Sequence, residues 1–563
     1  MINWQRAIAR KIATTMMAAA CVFPTLAQTQ QQSTSPAPTQ TQDQEPPPLN
    51  RPLPTRSVGL TPGKVVHWTL RDTVLKALEN NVDIEIEREN VRLRQFDVDA
   101  TRAPYDPITS SRINYFSSQA PLTNPFQGAT LNQTSSSSKT LTYNFGWQQA
   151  IEKTGGGYSV TYNNTRRVSN LSNFATEYGP ALTFNITQPL FKNFKTDFNR
   201  RQILITKKSL DLSDAVFRQR VIEIISRVQQ AYWDLAFAIQ DEKIQRQAVD
   251  LAATSLRNNE RQVEVGTLAP LDVTTAATDL ESRRLSYFQA LNTISAMENT
   301  LKALVVSSPT DEIWGAQIDP VDSLEIQTMT LPLDDALRLA FANRPELKQF
   351  AITKEQSKIN IDFFRDQLKP QIDLTASFGL TGLGGDPVDP TRVLNKFIGG
   401  YPTSIKNLFT FENRSWNVGI IFNLPLRNVA AKVNLAREIE SSKQLDLQLR
   451  SRMQSIEFEV RTQIQSLETI KMRIETARAN RIYAQRQLEG EQKKFEAGLS
   501  PTFLVLQRQN QLTSAQGQEQ RALADYNKTI AELQRVISTT LESNNIQIRS
   551  EIPDSAASGR GKR

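Results

Sequence analysis

Several long stretches of the chain place apolar residues alternately four and three positions apart. Three such seams run along the following residues: Val221, Ile225, Val228, Tyr232, Leu235 and Ile239; Val273, Ala277, Leu280, Tyr287, Leu291, Ile294, Leu301 and Val305; and Leu523, Tyr526, Ile530, Leu533 and Ile537. An average spacing of 3.5 residues is typical of helices packed as coiled coils. We therefore predict long paired helices, including two without interior proline at 192–264 and 427–496.

Two other stretches, 105–190 and 371–425, alternate between apolar and polar residues at every second position. In the first, Leu141, Tyr143, Phe145 and Trp147 share one face, opposite Thr140, Thr142, Asn144, Gly146 and Gln148. In the second, Ile372, Leu374, Ala376 and Phe378 share a face, as do Trp416, Val418, Ile420 and Phe422. This pattern predicts strands of a barrel with a wet interior, or equally of a soluble sandwich.

The chain contains two copies of one unit. The segment from Leu70 to Asn80 is echoed by Leu333 to Asn343, and the strand end Gln188-Pro189-Leu190 by Leu424-Pro425-Leu426. Glycines at 266 and 498 then follow the two long helices, with a proline shortly after each. A glycine past a helix end and a proline inside the next helix mark a turn between helices. Each copy therefore reads helix, strands, long helix, tip and returning helix.

These landmarks divide the chain. We expect a first repeat at 69–307, with strands at 105–190 and its tip near 266, and a second at 331–541, with strands at 371–425 and its tip near 498. A linker at 308–330 joins them. Residues 28–68 are rich in Gln, Thr and Pro and are predicted to be a disordered leader; 542–563 are predicted to be a disordered basic tail.

The first 27 residues have the layout of a secretory signal peptide. Arg6, Arg10 and Lys11 precede an apolar stretch that ends in Thr25-Leu26-Ala27. The alternative is lipidation at Cys21, which follows three alanines in the manner of a weak lipobox. Either reading predicts an exported protein.

Composition excludes several kinds of chemistry. Cys21 is the only cysteine and His67 the only histidine among 563 residues. A thiol nucleophile, a Ser-His-Asp triad and a multi-histidine metal site are therefore not expected. Chemistry that uses carboxylates alone is left open by the composition, but no local spacing singles out such a pair. We predict no enzyme activity, no cofactor and no metal. The formal net charge is +8, and without the three cations of the expected signal peptide it is 8 − 3 = +5. This is a mild excess for the length, so nucleic acid is not expected as a partner.

The order of these segments resembles the TolC-like outer-membrane factors, which are the outer membrane efflux proteins of bacteria. The resemblance rests on Asn80-Asn81, on Asn343-Arg344-Pro345-Glu346-Leu347, on Gln188-Pro189-Leu190-Phe191, on Ala231-Tyr232-Trp233-Asp234-Leu235 and on the two tips. It covers about 69–541. No single motif is specific, but the duplicated order is.

The resemblance implies a mainly α fold with β structure. Duplicated strand and long-helix repeats would form a trimeric outer-membrane β-barrel, continued by a periplasmic α-helical coiled-coil barrel. The function implied is the exit duct of a tripartite efflux or type I secretion system in a Gram-negative-type bacterium. Expected partners are a homotrimer, a periplasmic adaptor, an inner-membrane pump and outer-membrane lipid. Oligomerisation also follows from strand number, because four to six strands per chain cannot close a barrel of even about eight strands.

The resemblance also assigns roles at the tips. Eight residues would contact the adaptor: Val265, Gly266, Thr267, Leu268, Ala497, Gly498, Leu499 and Ser500. Some family members narrow the entrance with carboxylates six and nine residues after the second tip glycine. Leu504 and Gln507 stand there instead, and only Asp272 after the first tip glycine keeps an acid. We therefore expect an apolar gate at Leu504, although an ordinary seam residue fits this position equally.

Two rival functions remain at this stage. A periplasmic coiled-coil adaptor or structural protein would share the export signal and the helical seams, but it needs no aromatic-rich strand blocks. A secreted glycosidase needs two positioned carboxylates in a concave site, and paired rods offer none that stands out. The hairpin 139–167 is extra in the first copy and predicts either two further strands per chain or a projecting loop.

Overall fold

The computed structural model describes residues 52–56, 60–61, 63–122, 135–326 and 331–548. The expected signal peptide at 1–27, its Cys21, and most of the expected leader and basic tail lie outside the described residues. The described residues from Thr55 onward belong to one compact unit.

Ten α-helices occur in the described part of the chain, and two of them are very long. In chain order, they are α1 (Leu70–Asn80), α2 (Val82–Ala100), α3 (Phe198–Glu264), α4 (Pro270–Val305), α5 (Leu333–Asn343), α6 (Pro345–Gln367), α7 (Tyr401–Leu408), α8 (Val429–Glu496), α9 (Thr502–Val536) and α10 (Thr540–Ser543).

Nine strands occur in the same residues and form two sheets. In chain order, they are β1 (Val65–Trp68), β2 (Ile108–Pro121), β3 (Ser135–Ala150), β4 (Gly157–Ser169), β5 (Phe174–Pro189), β6 (Gln317–Pro320), β7 (Gln371–Thr381), β8 (Gly384–Pro387) and β9 (Arg414–Asn423). The large sheet has the order β2-β3-β4-β5-β7-β9, and β8 pairs with β5. Every pairing within it is antiparallel.

The duplication predicted from the sequence is visible in this order. Each copy has a pair of short helices, a group of strands, a helix that starts at Phe198 or Val429, and a returning helix. The structure differs from the prediction of one helix over 69–103, because the chain breaks at Asn81. There the Asn81 side chain accepts hydrogen bonds from the N–H groups of Asp83 and Ile84 and caps α2.

The predicted coiled-coil seams form the core between the long helices. Val221, Ile225, Val228 and Leu235 of α3 are buried, and they pack in one cluster with Leu301 of α4. A second cluster joins α8 and α9 through Ile456, Val460, Tyr526 and Leu533, among others. The 3.5-residue spacing therefore identified the buried face of these helices.

The large sheet has one apolar and one polar face. Register places Trp147, Val160, Phe184, Phe378 and Trp416 side by side on five neighbouring strands. The opposite face carries small polar side chains, such as Thr142, Asn144 and Thr161. Many side chains on the apolar face are exposed, including Ile113, Trp416 and Ile420. The extra hairpin 139–167 contributes β3 and β4 to this sheet, so it adds strands and is not a projecting loop.

Two predicted boundaries are wrong. Residues 65–68, assigned to the disordered leader, form β1 and pair in parallel with β6. Residues 542–548, assigned to the disordered tail, are ordered as far as Ile546 and Ile548, which pack on the first core cluster. In both cases the contact partner lies far away in the chain, so local composition gave no sign of it.

Candidate functional site

The two helical hairpins end in tips with the same backbone geometry. Gly266 and Gly498 both adopt the left-handed conformation, with φ of 75° and 69°. The Thr267 N–H donates to Gln262 O at 2.9 Å, and the Leu499 N–H donates to Lys494 O at 2.8 Å. Each glycine N–H donates to the carbonyl three residues earlier. This is the Schellman arrangement, and it requires a residue that tolerates positive φ.

The tips present apolar side chains to solvent. Val265 is 75% exposed and Leu499 is 79% exposed, and Leu271 and Phe503 beside them are also exposed. Of the other predicted tip residues, Thr267 and Ala497 are exposed, and Leu268 and Ser500 are half-buried. A cluster of exposed apolar side chains at two adjacent ends is typical of a protein-binding surface.

Polar side chains fix the tips from within. The Thr267 hydroxyl donates to Gln262 O at 3.0 Å, and the Ser500 hydroxyl donates to Glu491 Oε1 at 2.5 Å. Both bonds tie a residue just past the tip glycine back to the last turns of the preceding helix. The exposed apolar side chains therefore stand on a locally rigid turn.

The predicted gate residues lie on different hairpins. Asp272 is half-buried in the first turn of α4. Leu504 is half-buried and Gln507 exposed in the first turns of α9, next to the buried Val505 and Leu506. Leu504 is thus beside the packed seam of α9 and not within it.

Polar contacts, which the sequence did not predict, join the two hairpins behind the tips. Gln509 Nε2 donates to Ser255 Oγ at 3.3 Å, and Arg283 Nη1 lies 3.5 Å from Thr513 Oγ1. Arg283 is buried on α4 although it is charged. The available signal in the sequence was the position of Arg283, which stands between the seam residues Leu280 and Tyr287. A charged residue there is expected to be paired, because arginine is seldom buried otherwise.

At the other end of the hairpins a buried tyrosine fixes the small sheet. The Tyr232 hydroxyl donates to Asp322 Oδ2 at 2.7 Å and lies 3.1 Å from Trp68 O. Burial raises the pKa of Tyr232 above its usual value. The tyrosine therefore remains a neutral donor that holds the loop after β6 against α3.

A buried ionic cluster lies near it. Glu298 and Lys302 of α4 are each 1% exposed, and their charged groups are 3.4 Å apart. Arg56 forms an ion pair with the same glutamate, and Lys302 Nζ also donates to Trp314 O at 3.0 Å. Burial, and then the charge of Arg56, lower the pKa of Lys302 to about 8. The cluster anchors the segment around Arg56 to α4.

The architecture defines a class of protein. A sheet with one apolar and one polar face continues directly into long paired helices that end in two exposed tips, which is the fold of outer-membrane efflux channels. None of the helices in the described part of the chain has the length and apolar character needed to span a bilayer. The same residues contain no group of three or more His, Cys, Asp or Glu placed to hold a metal ion.

Comparison with known proteins agrees with this class. The chain is similar to a solved structure of CusC, which was described in connection with transmembrane channel formation, with a TM-score of 0.60 and 16% identity over 84% of this chain and 92% of that one. The Campylobacter jejuni outer membrane channel CmeC gives 0.58 and 15%, covering 85% and 90%. The Vibrio cholerae outer membrane protein VceC gives 0.58 and 15%, covering 83% and 95%. At these identities the likeness shows the fold alone.

Sequence comparison identifies the family. Residues 155–305 and 336–539 match the outer membrane efflux protein family, so the chain belongs to it. A separate comparison with individual curated proteins gives no match. The family is one of channels and not a class of enzymes.

Proposed function

We propose that the protein is the outer-membrane channel of a tripartite efflux or type I secretion system. In this role it is a passive, water-filled exit duct, and a periplasmic adaptor couples it to an inner-membrane pump. It lies in the outer membrane of a Gram-negative-type bacterium and extends into the periplasm. It has no catalytic role and uses no cofactor. Residues 1–27 direct export, and 308–330 link the two repeats.

The observation that carries this proposal is the large sheet. Among the described strands, β2 and β9 each have a neighbour on one side only. Unpaired strand edges in lipid leave backbone groups without partners, so a sheet in a membrane must close. Six strands are too few to close around a water-filled lumen. The edge strands β2 and β9 of neighbouring chains therefore have to pair.

A trimer satisfies this requirement. Three chains with six long strands each supply eighteen, and barrels of about 16–18 strands leave an aqueous channel. The small polar side chains of one face, such as Thr142 and Asn144, then line the lumen, and Ile113 and Trp416 face lipid. The helices continue the wall of the barrel. The helices α1 and α2 meet the end of α4, and the three together form a helical rod about as long as α3. Four rods per chain give a ring of twelve around a lumen of roughly 25 Å.

The tips are the proposed periplasmic entrance. Val265 and Leu499 offer apolar side chains on rigid turns, which suits contact with the hairpin of an adaptor protein. The proposed adaptor-contact residues are the eight tip residues named above. Leu504, half-buried beside the seam of α9, is the proposed gate residue, with Asp272 and Gln507 near the same level.

The rival reading as a periplasmic adaptor or structural protein leaves the sheet unexplained. A water-soluble protein rarely exposes a large contiguous apolar face. Here the exposed apolar face includes Ile113, Phe145, Trp416 and Ile420.

Reconstitution of the purified full-length protein in a planar bilayer tests the proposal. We expect stepwise conductance that persists without any energy source. A protein that gives no conductance, and that osmotic shock releases from cells, is not an outer-membrane duct.

A further inference from the structure

An insertion at residues 382–413, between β7 and β9, folds back over one face of the large sheet. It contains β8 and the short helix α7. It lies at the end of the sheet away from the long helices, because β9 continues from it toward α8. A Cβ on Gly384 would lie 2.8 Å from Ser404 N of α7. The helix is therefore held against the strands by direct backbone packing.

The insertion covers part of the apolar face. The Tyr401 ring of α7 lies 6.2 Å from Tyr143 and 6.0 Å from Tyr178, and its hydroxyl is 2.8 Å from that of Tyr162. Register places all three tyrosines on the face that carries Trp147 and Phe184. These contacts are made with β3, β4 and β5, in the middle of the sheet. The insertion therefore does not lie at the edges where neighbouring chains would pair.

The insertion exposes both apolar and charged side chains. Exposed apolar side chains project from it: Val388, Leu394, Phe409 and Phe411. Exposed cations accompany them: Arg392, Lys396 and Lys406. On the same face of the sheet, and at the same end, stand three more exposed cations: Lys139, Arg166 and Arg414. The insertion itself carries as many acids, Asp386, Asp389 and Glu412, and two of them pair with Arg392 and Lys396. The excess of positive charge therefore comes from Lys139, Arg166 and Arg414 beside it.

The position along the strands fits the edge of a bilayer. From Ile372 to Leu380, β7 runs for roughly 26 Å at about 3.3 Å per residue, or about 20 Å along the barrel axis after tilt. The apolar band of outer-membrane barrels is about 25 Å tall. The insertion, which begins just beyond Leu380, therefore lies where hydrocarbon gives way to headgroups.

We propose that residues 382–413, together with Lys139, Arg166 and Arg414, form a lipid-binding collar for the phosphate-bearing headgroups of the outer leaflet. The collar rests on the proposed function, since it needs the apolar face to meet lipid. Apolar side chains such as Leu394 and Phe409 enter the acyl boundary, and the cations around them bind headgroup phosphates. Amphipathic surfaces of this kind lie in the plane of the interface, and each cation adds attraction to anionic lipid.

The experiment measures binding of lipid A to the purified full-length protein in neutral detergent, with diphosphorylated lipid A compared against its dephosphorylated form. The collar variant combines Arg392→Gln, Lys396→Gln and Lys406→Gln. The control variant combines Lys443→Gln, Arg461→Gln and Lys471→Gln on α8, which removes the same charge from residues that also sit beside carboxylates.

We expect the wild type and the control to bind diphosphorylated lipid A at least about tenfold more tightly than the collar variant. Dephosphorylation should remove this difference. Equal binding by all three proteins, or equal binding of both lipids, overturns the collar. Competition by millimolar inorganic phosphate alone shows a free-anion site and also overturns it. Planar-bilayer conductance of the same preparations separates the two proposals. A wild type that conducts but shows no phosphate-dependent binding of lipid A refutes the collar only. A wild type that binds lipid A but does not conduct refutes the duct only.

Discussion

Asn81 and Arg344 perform the same task at equivalent positions of the two repeats. Each lies at the break between two short helices and donates a side-chain hydrogen bond to the end of a returning helix. Asn81 Nδ2 donates to Leu304 O at 2.8 Å, and Arg344 Nε donates to Val536 O at 2.7 Å. Both carbonyls belong to the last turn of their helix, where intrahelical partners are lacking. One short helix is thereby joined end to end to another in each repeat.

A second pair supports the same correspondence. Asp83 follows Asn81 and lies 2.9 Å from Arg220 of α3, and Glu346 follows Arg344 and lies 2.9 Å from Arg452 of α8. The duplication therefore extends from the order of elements to individual polar contacts.

Loss of Arg344 should destabilise the second repeat. Arg344 is 3% exposed, and its guanidinium also pairs with Glu459. Arg344→Met leaves the Val536 carbonyl without its donor and leaves Glu459 with Arg452 alone, 3.7 Å away, and we expect a loss of about 3 kcal/mol. Denaturant unfolding in detergent measures it. Arg338→Met, at an exposed site on the neighbouring helix α5, is the control and should change stability little. Equal effects of the two substitutions contradict the role of Arg344.

The buried Lys302 should make stability depend on alkaline pH. Its pKa is lowered to about 8 in the folded chain by burial and by Arg56, whereas an exposed lysine titrates near 10.5. Between these values the unfolded chain binds more protons, so the free energy of unfolding rises with pH from about 8 to 10.5, by up to about 3 kcal/mol. Lys302→Met should flatten this rise. The measurement is a set of unfolding curves between pH 8 and 10.5, with Lys443→Met as control. If the free energy of unfolding of Lys302→Met rises with pH as steeply as that of the wild type, Lys302 is not the cause of the rise.

The sequence predicts repetitive features of this fold better than single contacts. The seam through Val221 to Leu235 and the alternation from Leu141 to Trp147 repeat over many residues, and packing on one face imposes that repetition. Strand β1 is different, because four residues after a proline-rich stretch pair with β6 about 250 residues later, and no local period records such a contact. The break at Asn81 had a local signal, an asparagine two residues before Asp83, which is a common helix start.

The candidate site likewise contains features that the sequence predicts and contacts that it does not. The tip glycines were located because Gly266 and Gly498 must adopt positive φ, which limits the residue type. The contacts behind the tips, such as Gln509 with Ser255, depend on how two hairpins pack. The sequence of one helix does not identify which residue of another helix a polar side chain contacts. The gate at Leu504 needs several chains around one axis, and therefore stays a prediction.

Rigid tips should be needed for adaptor binding. Gly498→Val forces a β-branched side chain into positive φ, at a cost of at least about 1–2 kcal/mol, and should distort the turn that presents Leu499. We expect weaker binding to the cognate adaptor in a pull-down, with unchanged assembly of the channel. Gly490→Ala is the control, since it lies within α8 with open space at its Cβ. Adaptor binding that survives both Gly498→Val and Leu499→Asp argues against the tips as the contact.

An apolar gate at Leu504 should respond to charge. Leu504→Asp places a ring of carboxylates at the proposed constriction, which hydrates it and attracts cations. We expect greater leak through the closed channel and new block by divalent cations in planar-bilayer recordings. Gln511→Asp introduces the same charge further along α9 at an exposed position and is the control. If closed-state leak and cation block match the wild type, Leu504 is an ordinary seam residue.

Pairing of the edge strands should be detectable by cross-linking. Cys21 is the only cysteine of the chain, so almost no native thiol competes with introduced ones. Tyr115→Cys on the edge strand β2 and Val418→Cys on the edge strand β9 each place a cysteine on the apolar face. When both single variants are present in one sample, we expect disulfide-linked dimers between neighbouring chains. The pairing of β2 with β9 of the next chain can differ by one residue pair from this choice, and the cysteine positions are then moved accordingly. Phe458→Cys, exposed on α8, is the control partner.

The number of chains per particle tests the central claim most directly, since the sheet is open in one chain and must close between several. Light scattering of the purified protein in detergent, corrected for bound detergent, gives this number. The account predicts three chains per particle, which bring eighteen strands and twelve helical rods into one wall. A single chain per particle, stable in buffer without detergent, would contradict it.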